Sequence, residues 1–453
     1  MQRLKYRLLL AVPFVVGIAV LQGLTVEIDT FHSSDAGTYQ LPTIVQLSER
    51  LDFSDYPSAQ TPLFHLVMAG WGELVGFELW KLRLLNVAIS YGAALALLRL
   101  LRRTTPLGEL RSFALTLAFV LSPYFFGASF TLLTDNLAIL FALLALERLH
   151  SYARGASLGA FGLACLAIAA AVLTRQSFLW LVPVAAFFLV RRGGSVAAMV
   201  PGAALLALAL VPLAALVVEW DGLVPPSADP ASCGLCTDRP GVGSDALTLR
   251  TVGFSLALLG LYAALVLGPS LRRGLRVTRS PAGRAARAAL ATPAARAVGA
   301  ALTGARGRRL ALRRLVALAA AAGVLLLLVS PLEYVPIRPQ APGDAGYLWR
   351  VSDVFPVLLG SSLVFWALVP LGAVAAALLV RRAGPAALPS VYLGAFLLAT
   401  LPVNLVYQKY FDPFMLLAVA LFARPSDLSR RSDYAGIALI CVASVAYALS
   451  FAG

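Results

Sequence analysis

Stretches of about 20 mostly apolar residues recur along this chain from Leu8 to Ala452, and no polar block between them is long enough to fold alone. A run of that length spans a hydrocarbon core of roughly 30 Å as a helix, so repetition of the pattern restricts the chain to one polytopic membrane domain. Composition agrees. Of 453 residues, 60% are hydrophobic and 13% charged, and mean hydropathy is +0.83, whereas a soluble surface needs roughly 25% charged residues. A water-soluble enzyme, a coiled coil and a disordered tail are excluded.

The sequence predicts an all-α bundle of thirteen crossings, centred on residues 8–24, 82–98, 112–128, 131–146, 157–173, 177–190, 195–218, 249–269, 315–331, 353–380, 386–403, 408–423 and 435–451. Uniform apolarity without dyad alternation argues for helices over a barrel. Placing the N-terminus in the cytoplasm puts 28 of the 37 Lys and Arg residues on that side and 18 of the 22 acids opposite, as the positive-inside bias requires. This asymmetry accounts for the net charge of +15 without a nucleic-acid partner. The first span, followed by LQGLTVEID in place of a small-residue cleavage motif, is expected to be a retained anchor. The Ala, Arg and Leu bias points to a prokaryotic cytoplasmic membrane.

Four segments interrupt the spans: the outer loop 25–80, the outer loop 219–248, the inner loop 271–314 and the outer loop 332–352. The inner loop holds twelve Arg and no acid, which suits either an amphipathic helix on anionic headgroups or a solvated topogenic segment. Cys233 and Cys236 form SCGLC in the second outer loop, a disulfide candidate in an oxidising compartment. Cys165 and Cys441 fall within apolar runs, as packing residues do. His32 and His65 are isolated; no convincing metal-ligand spacing is present, and no cofactor is expected.

Polar residues gather on the outer side. The first outer loop carries Glu27, Asp29, Asp35, Glu49, Asp52, Asp55, Glu73 and Glu78, and TPLFHLVMAGWGELVGFELW within it reads as an interfacial helix. Asp35 lies just beyond the first span, placed either to act as a general base or to cap the helix TYQLPTIVQL. Asp135 stands near the start of the fourth span, either as a functional intramembrane charge or as a helix cap. Arg175 with Gln176, and Lys409 with Tyr410, sit at outer ends of later spans, where a lone basic residue also serves as an interfacial anchor.

The series DAGTYQLP at 35–42, QTPLF at 60–64, YFFGASFTLLTDN at 124–136 and TRQSFLW at 174–180 resembles, in order and spacing, the dolichyl-phosphate-glucose α-1,2-glucosyltransferase family. That family adds the last glucose of the N-glycan precursor. The likeness covers about the first 190 residues, with YQKY at 407–410 similar to a late outer motif. Ala36 replaces the family's Glu, Gln40 stands where it has His, and RQSF departs from its Arg-Gln-Thr-Asn. What the resemblance implies is therefore the wider class, a GT-C-type bundle that takes sugar from a polyprenyl-phosphate donor.

In such a transfer the phosphate leaving group needs no general acid, so one base and phosphate-binding cations suffice. The resemblance assigns Asp35 as base, and Arg175 and Lys409, with Arg338 or Arg350 as alternatives, to the donor phosphate. Gln40, Asp135, Gln176 and Tyr410 are then expected to hold sugar or acceptor hydroxyls. The implied partners are the polyprenyl-phosphate sugar, a glycan or lipid-linked acceptor, and membrane lipid. The rival reading is a transporter or flippase of lipid-linked sugars, although no related halves are found.

Overall fold

The structure, a computed structural model, describes residues 2–23, 36–155, 157–226, 248–269, 295–335, 346–403 and 406–449. Among the site candidates, Asp35, Arg338, Cys233 and Cys236 lie outside the described residues, as does most of the Arg-rich loop.

The architecture is all-α, as the apolar pattern predicts. In chain order the helices are α1 (Gln2–Gly23), α2 (Leu41–Glu49), α3 (Leu63–Val75), α4 (Leu79–Thr104), α5 (Glu109–Val120), α6 (Pro123–Phe130), α7 (Asp135–Ala153), α8 (Leu158–Thr174), α9 (Leu181–Gly193) and α10 (Val196–Trp220). They continue with α11 (Arg250–Val266), α12 (Ala295–Val329), α13 (Tyr347–Asp353), α14 (Leu363–Ala383), α15 (Leu388–Ala399), α16 (Asp412–Phe422) and α17 (Ala435–Leu449). A two-residue hairpin, β1 (Val357–Leu358) with β2 (Ser361–Ser362), precedes α14.

Among the described residues four helices are long and apolar enough to cross a membrane: α4, α10, the Leu310–Val329 part of α12, and α14. The pair α5 and α6 makes a fifth if counted as one bent span. The continuous span expected over 112–128 is instead broken by a 66° bend. Ser122 is extended at the break, with Pro123 starting the next helix, because proline disfavours helical geometry at the residue before it. Helices α3, α8, α11 and α15 are apolar but shorter.

Burial is lopsided in the way lipid solvation demands. Only 22% of the apolar window of α10 and 11% of that of Leu310–Val329 is buried, so these helices turn Leu and Val side chains outward. Helices α7 and α8 are packed antiparallel neighbours at the centre, with α4 against α7 and α10 against α8. A second layer pairs α11 with α14, and α14 with α12.

Glycine sets the closeness of that second layer. A Cβ built on Gly372 of α14 would collide with the Leu256 carbonyl of α11, and one on Gly260 of α11 would collide with the Leu368 carbonyl and Gly372. Backbone therefore meets backbone, the arrangement small residues permit between helices in lipid. Gly394 in α15 faces open space. Gly372→Leu should cost about 1–3 kcal/mol through overpacking, seen as a lowered unfolding temperature in detergent, whereas Gly394→Ala should leave that temperature unchanged or slightly raised.

Candidate functional site

The centre of interest lies where four helix ends meet. Helix α8 ends at Thr174, and Arg175 follows as an extended C-cap. Helix α7 begins at Asp135, with Thr134 as its N-cap, so Asp135 is the first helical residue and not the cap. Arg175 Nη1 lies 2.6 Å from Asp135 Oδ1 and donates to Thr134 Oγ1 at 3.4 Å. The dipoles favour this order, since a cation is stabilised at a helix C-terminus and an anion at an N-terminus.

The late motif completes the group. Tyr410, in the short 3-10 turn Gln408–Tyr410 just before α16, presents its ring 4.9 Å from the Arg175 guanidinium. Lys409 Nζ is 5.3 Å from the centre of the same ring. Two cations from segments 234 positions apart thus share one aromatic face system. Arg175 is 6% exposed, and the second carboxylate oxygen, Asp135 Oδ2, is buried with no hydrogen-bond partner among the described residues.

Of the expected set, the structure brings together Asp135, Arg175, Lys409 and Tyr410. Gln176 stands beside them with its side chain turned to the backbone, Nε2 donating to Ala59 O at 2.7 Å and to Leu223 O at 3.3 Å. It pins the segment between α2 and α3 against the site. Thr61 donates to Val172 O at 2.7 Å, and Trp220 Nε1 to Phe53 O at 2.8 Å, fastening the loop at further points. Arg350 is exposed on α13. The N-cap of α2 is Gln40.

Gln40 belongs to an adjoining buried chain that sequence reasoning missed. Its Oε1 is 2.6 Å from His65 Nε2, and His65 Nδ1 is 2.5 Å from the Tyr56 hydroxyl, whose ring stacks on Trp220 at 5.8 Å. With a carbonyl oxygen as acceptor, Nε2 carries the proton and Nδ1 accepts from tyrosine. The chain sits in an apolar cluster that also contains Ala36, Leu132 and Leu137, the last two flanking Asp135. This links the segment just after Asp35 to the Arg175 group.

A second missed network surrounds α16. Asp412 Oδ1 accepts from Tyr262 at 2.5 Å, Tyr347 at 2.7 Å and Gln408 Nε2 at 3.0 Å. Gln408 Oε1 accepts the Leu348 amide at 2.8 Å. Gly346, at φ +139°, makes room, since a Cβ there would strike Gln408 and Tyr124. The network fixes the turn that carries Lys409 and Tyr410. Of this region only Lys409, Tyr410 and the YQKY likeness were read from the sequence; Asp412 and the tyrosines from α11 and α13 were not.

A third network holds α6 beside the start of α7. Asn136 Nδ2 donates to Ser90 at 2.8 Å and Ser129 at 3.1 Å, while Asn86 Nδ2 reaches the Ala128 carbonyl at 2.7 Å. Asn86 thereby satisfies backbone carbonyls at the C-terminal end of α6, where the helix ladder stops.

Comparison with protein-family models, with characterised proteins and with solved structures finds no match. The chemistry of the site therefore rests on its own residues.

Burial pushes His65 down to about 3 from its ordinary 6.5. Between those values the unfolded chain binds a proton the folded protein refuses, so stability rises with pH there. The His65 contribution should be complete above about pH 6.5 and fall away as acid is added. The unfolding temperature of a His65→Gln variant should change less between pH 7 and pH 5 than that of the unaltered protein.

Proposed function

We propose that this protein is an inverting glycosyltransferase of GT-C type, moving a hexose from a polyprenyl-phosphate sugar to a hydroxyl of a lipid-linked glycan or other acceptor. The reading includes thirteen crossings, an N-terminus in the cytoplasm and a reaction on the extracytoplasmic face of a prokaryotic cytoplasmic membrane. One observation carries it: Arg175 and Lys409, assigned to the donor phosphate from motifs far apart in sequence, flank one Tyr410 ring beside Asp135.

In the proposed reaction the acceptor oxygen attacks the anomeric carbon as Asp35 takes its proton. The bond from that carbon to the phosphate oxygen breaks, and polyprenyl phosphate departs with the bonding electron pair. The leaving group's growing negative charge is stabilised by the Arg175 guanidinium, able to bind two oxygens at once, and by the Lys409 ammonium as a point charge. Asp135 holds Arg175 in place through Oδ1 and keeps Oδ2 for a hydroxyl donor, a sugar or acceptor group in this reading. The docked outer loop supports a role in excluding water, which would otherwise compete with the acceptor.

Purified protein incubated with a panel of polyprenyl-phosphate sugars and acceptor lipids should release polyprenyl phosphate. Asp35→Asn should abolish turnover with donor affinity nearly intact. Arg175→Lys or Lys409→Gln should lower kcat/KM by about 100-fold, the usual scale for one charge-stabilising donor. Full activity of the Asp35 variant would remove it as base. Movement of lipid-linked sugar across liposomes without bond cleavage would replace this reading with transport.

A further inference from the structure

Helices α7, α9 and α16 each begin near the Arg175 group and each end beside a second feature. Helix α7 has 19 residues, about 28 Å at 1.5 Å per residue, so the two places are separated by the depth of the bundle. At the far end is a cavity of about 360 Å³. Its lining includes His150 and Arg154 from the end of α7, Arg191 from the end of α9, and Arg424 just after α16, with no Asp or Glu among the described residues.

The neighbouring acids are already engaged. Glu147 lies 2.9 Å from Arg99 Nε and also pairs with Arg103, while Asp427 lies 2.7 Å from Arg382 and accepts the Arg424 amide at 2.8 Å. Glu147 and Asp427 thus each form ion pairs with arginines outside the lining. Arg191 donates to the Ala386 carbonyl and Arg424 to the Arg382 carbonyl, contacts that aim each guanidinium and leave further N–H groups. His150 Nε2 is buried without a hydrogen-bond partner. The start of helix α15 borders the same space through Ala387, Leu388 and Pro389. Phe188, Leu421 and Phe422 give the cavity an apolar wall.

We propose that this cavity binds a phosphate ester, at the end of the bundle remote from the Arg175 group. Convergent guanidinium donors, joined by the His150 imidazole once it is protonated, match phosphate oxygens, and the apolar wall suits what is esterified to them. Two sources present this chemistry: the headgroup of an anionic phospholipid in the adjacent leaflet, and a soluble phosphorylated compound.

The test uses the full chain in detergent, with phosphatidylglycerol in mixed micelles, phosphatidylcholine as the zwitterionic control, and inorganic pyrophosphate as the soluble probe. Binding is read by native mass spectrometry and by the shift in unfolding temperature. Phosphatidylglycerol or pyrophosphate should bind with one site per chain, the first result assigning a lipid and the second a soluble ligand. Arg154→Gln, which breaks no hydrogen bond or ion pair of that side chain among the described residues, should weaken binding by about tenfold or more, the scale of a charged hydrogen bond. The double change Arg154→Gln with His150→Gln should weaken it further, while the unliganded variants keep an ordinary unfolding transition. Arg381→Gln, exposed on the same side but outside the lining, should bind as the unaltered protein does. Binding of neither anion, equal binding of phosphatidylcholine, or equal losses in the Arg381 control would overturn the proposal.

Discussion

An arginine that is 6% exposed is sustainable only with a counter-charge close by, because taking either ion out of water alone costs several kcal/mol. Asp135 supplies that charge at 2.6 Å. The pair is then held by something larger than itself, the antiparallel contact of α7 and α8, which sets the negative end of one helix next to the positive end of the other. Each charge sits at the dipole that favours it. The segment between α2 and α3, the turn before α16 and the end of α8 are all organised around this point.

The same solvent that forces the charges to pair also dictates how the irregular backbone near them is treated. The C-terminal end of α6 leaves carbonyls that lipid cannot satisfy, and Asn86 reaches across from α4 to meet those of Ala128 and Thr131. Asp412, with two tyrosines and Gln408, performs a comparable task around the turn that carries Lys409. These buried networks are specific because a polar group left unmet there is expensive. They make the neighbourhood of the site stiff, which suits groups that must hold a charge in a fixed place.

The bundle is polar at both ends and differs between them. One end gathers a carboxylate and two cations around an aromatic ring. The other gathers basic side chains around a cavity whose nearby acids are already paired. Helices α7, α9 and α16 connect the two, so substitutions along their shared core act on both places through helix position.

Helical class and apolar surfaces were determined by the sequence itself, because each depends on local composition and on the dimensions of a bilayer. Asp135, Arg175, Lys409 and Tyr410 were also legible one by one, as polar residues at the ends of apolar runs. Their meeting was decided only by tertiary structure: helix packing is set by small residues such as Gly260 and Gly372, whose partners cannot be read from spacing along the chain. The roles of Gln40 and Gln176 were decided there too. A glutamine amide is equally suited to a sugar hydroxyl, an imidazole or a backbone carbonyl, and only the folded neighbours, His65 for one and Ala59 for the other, select among them.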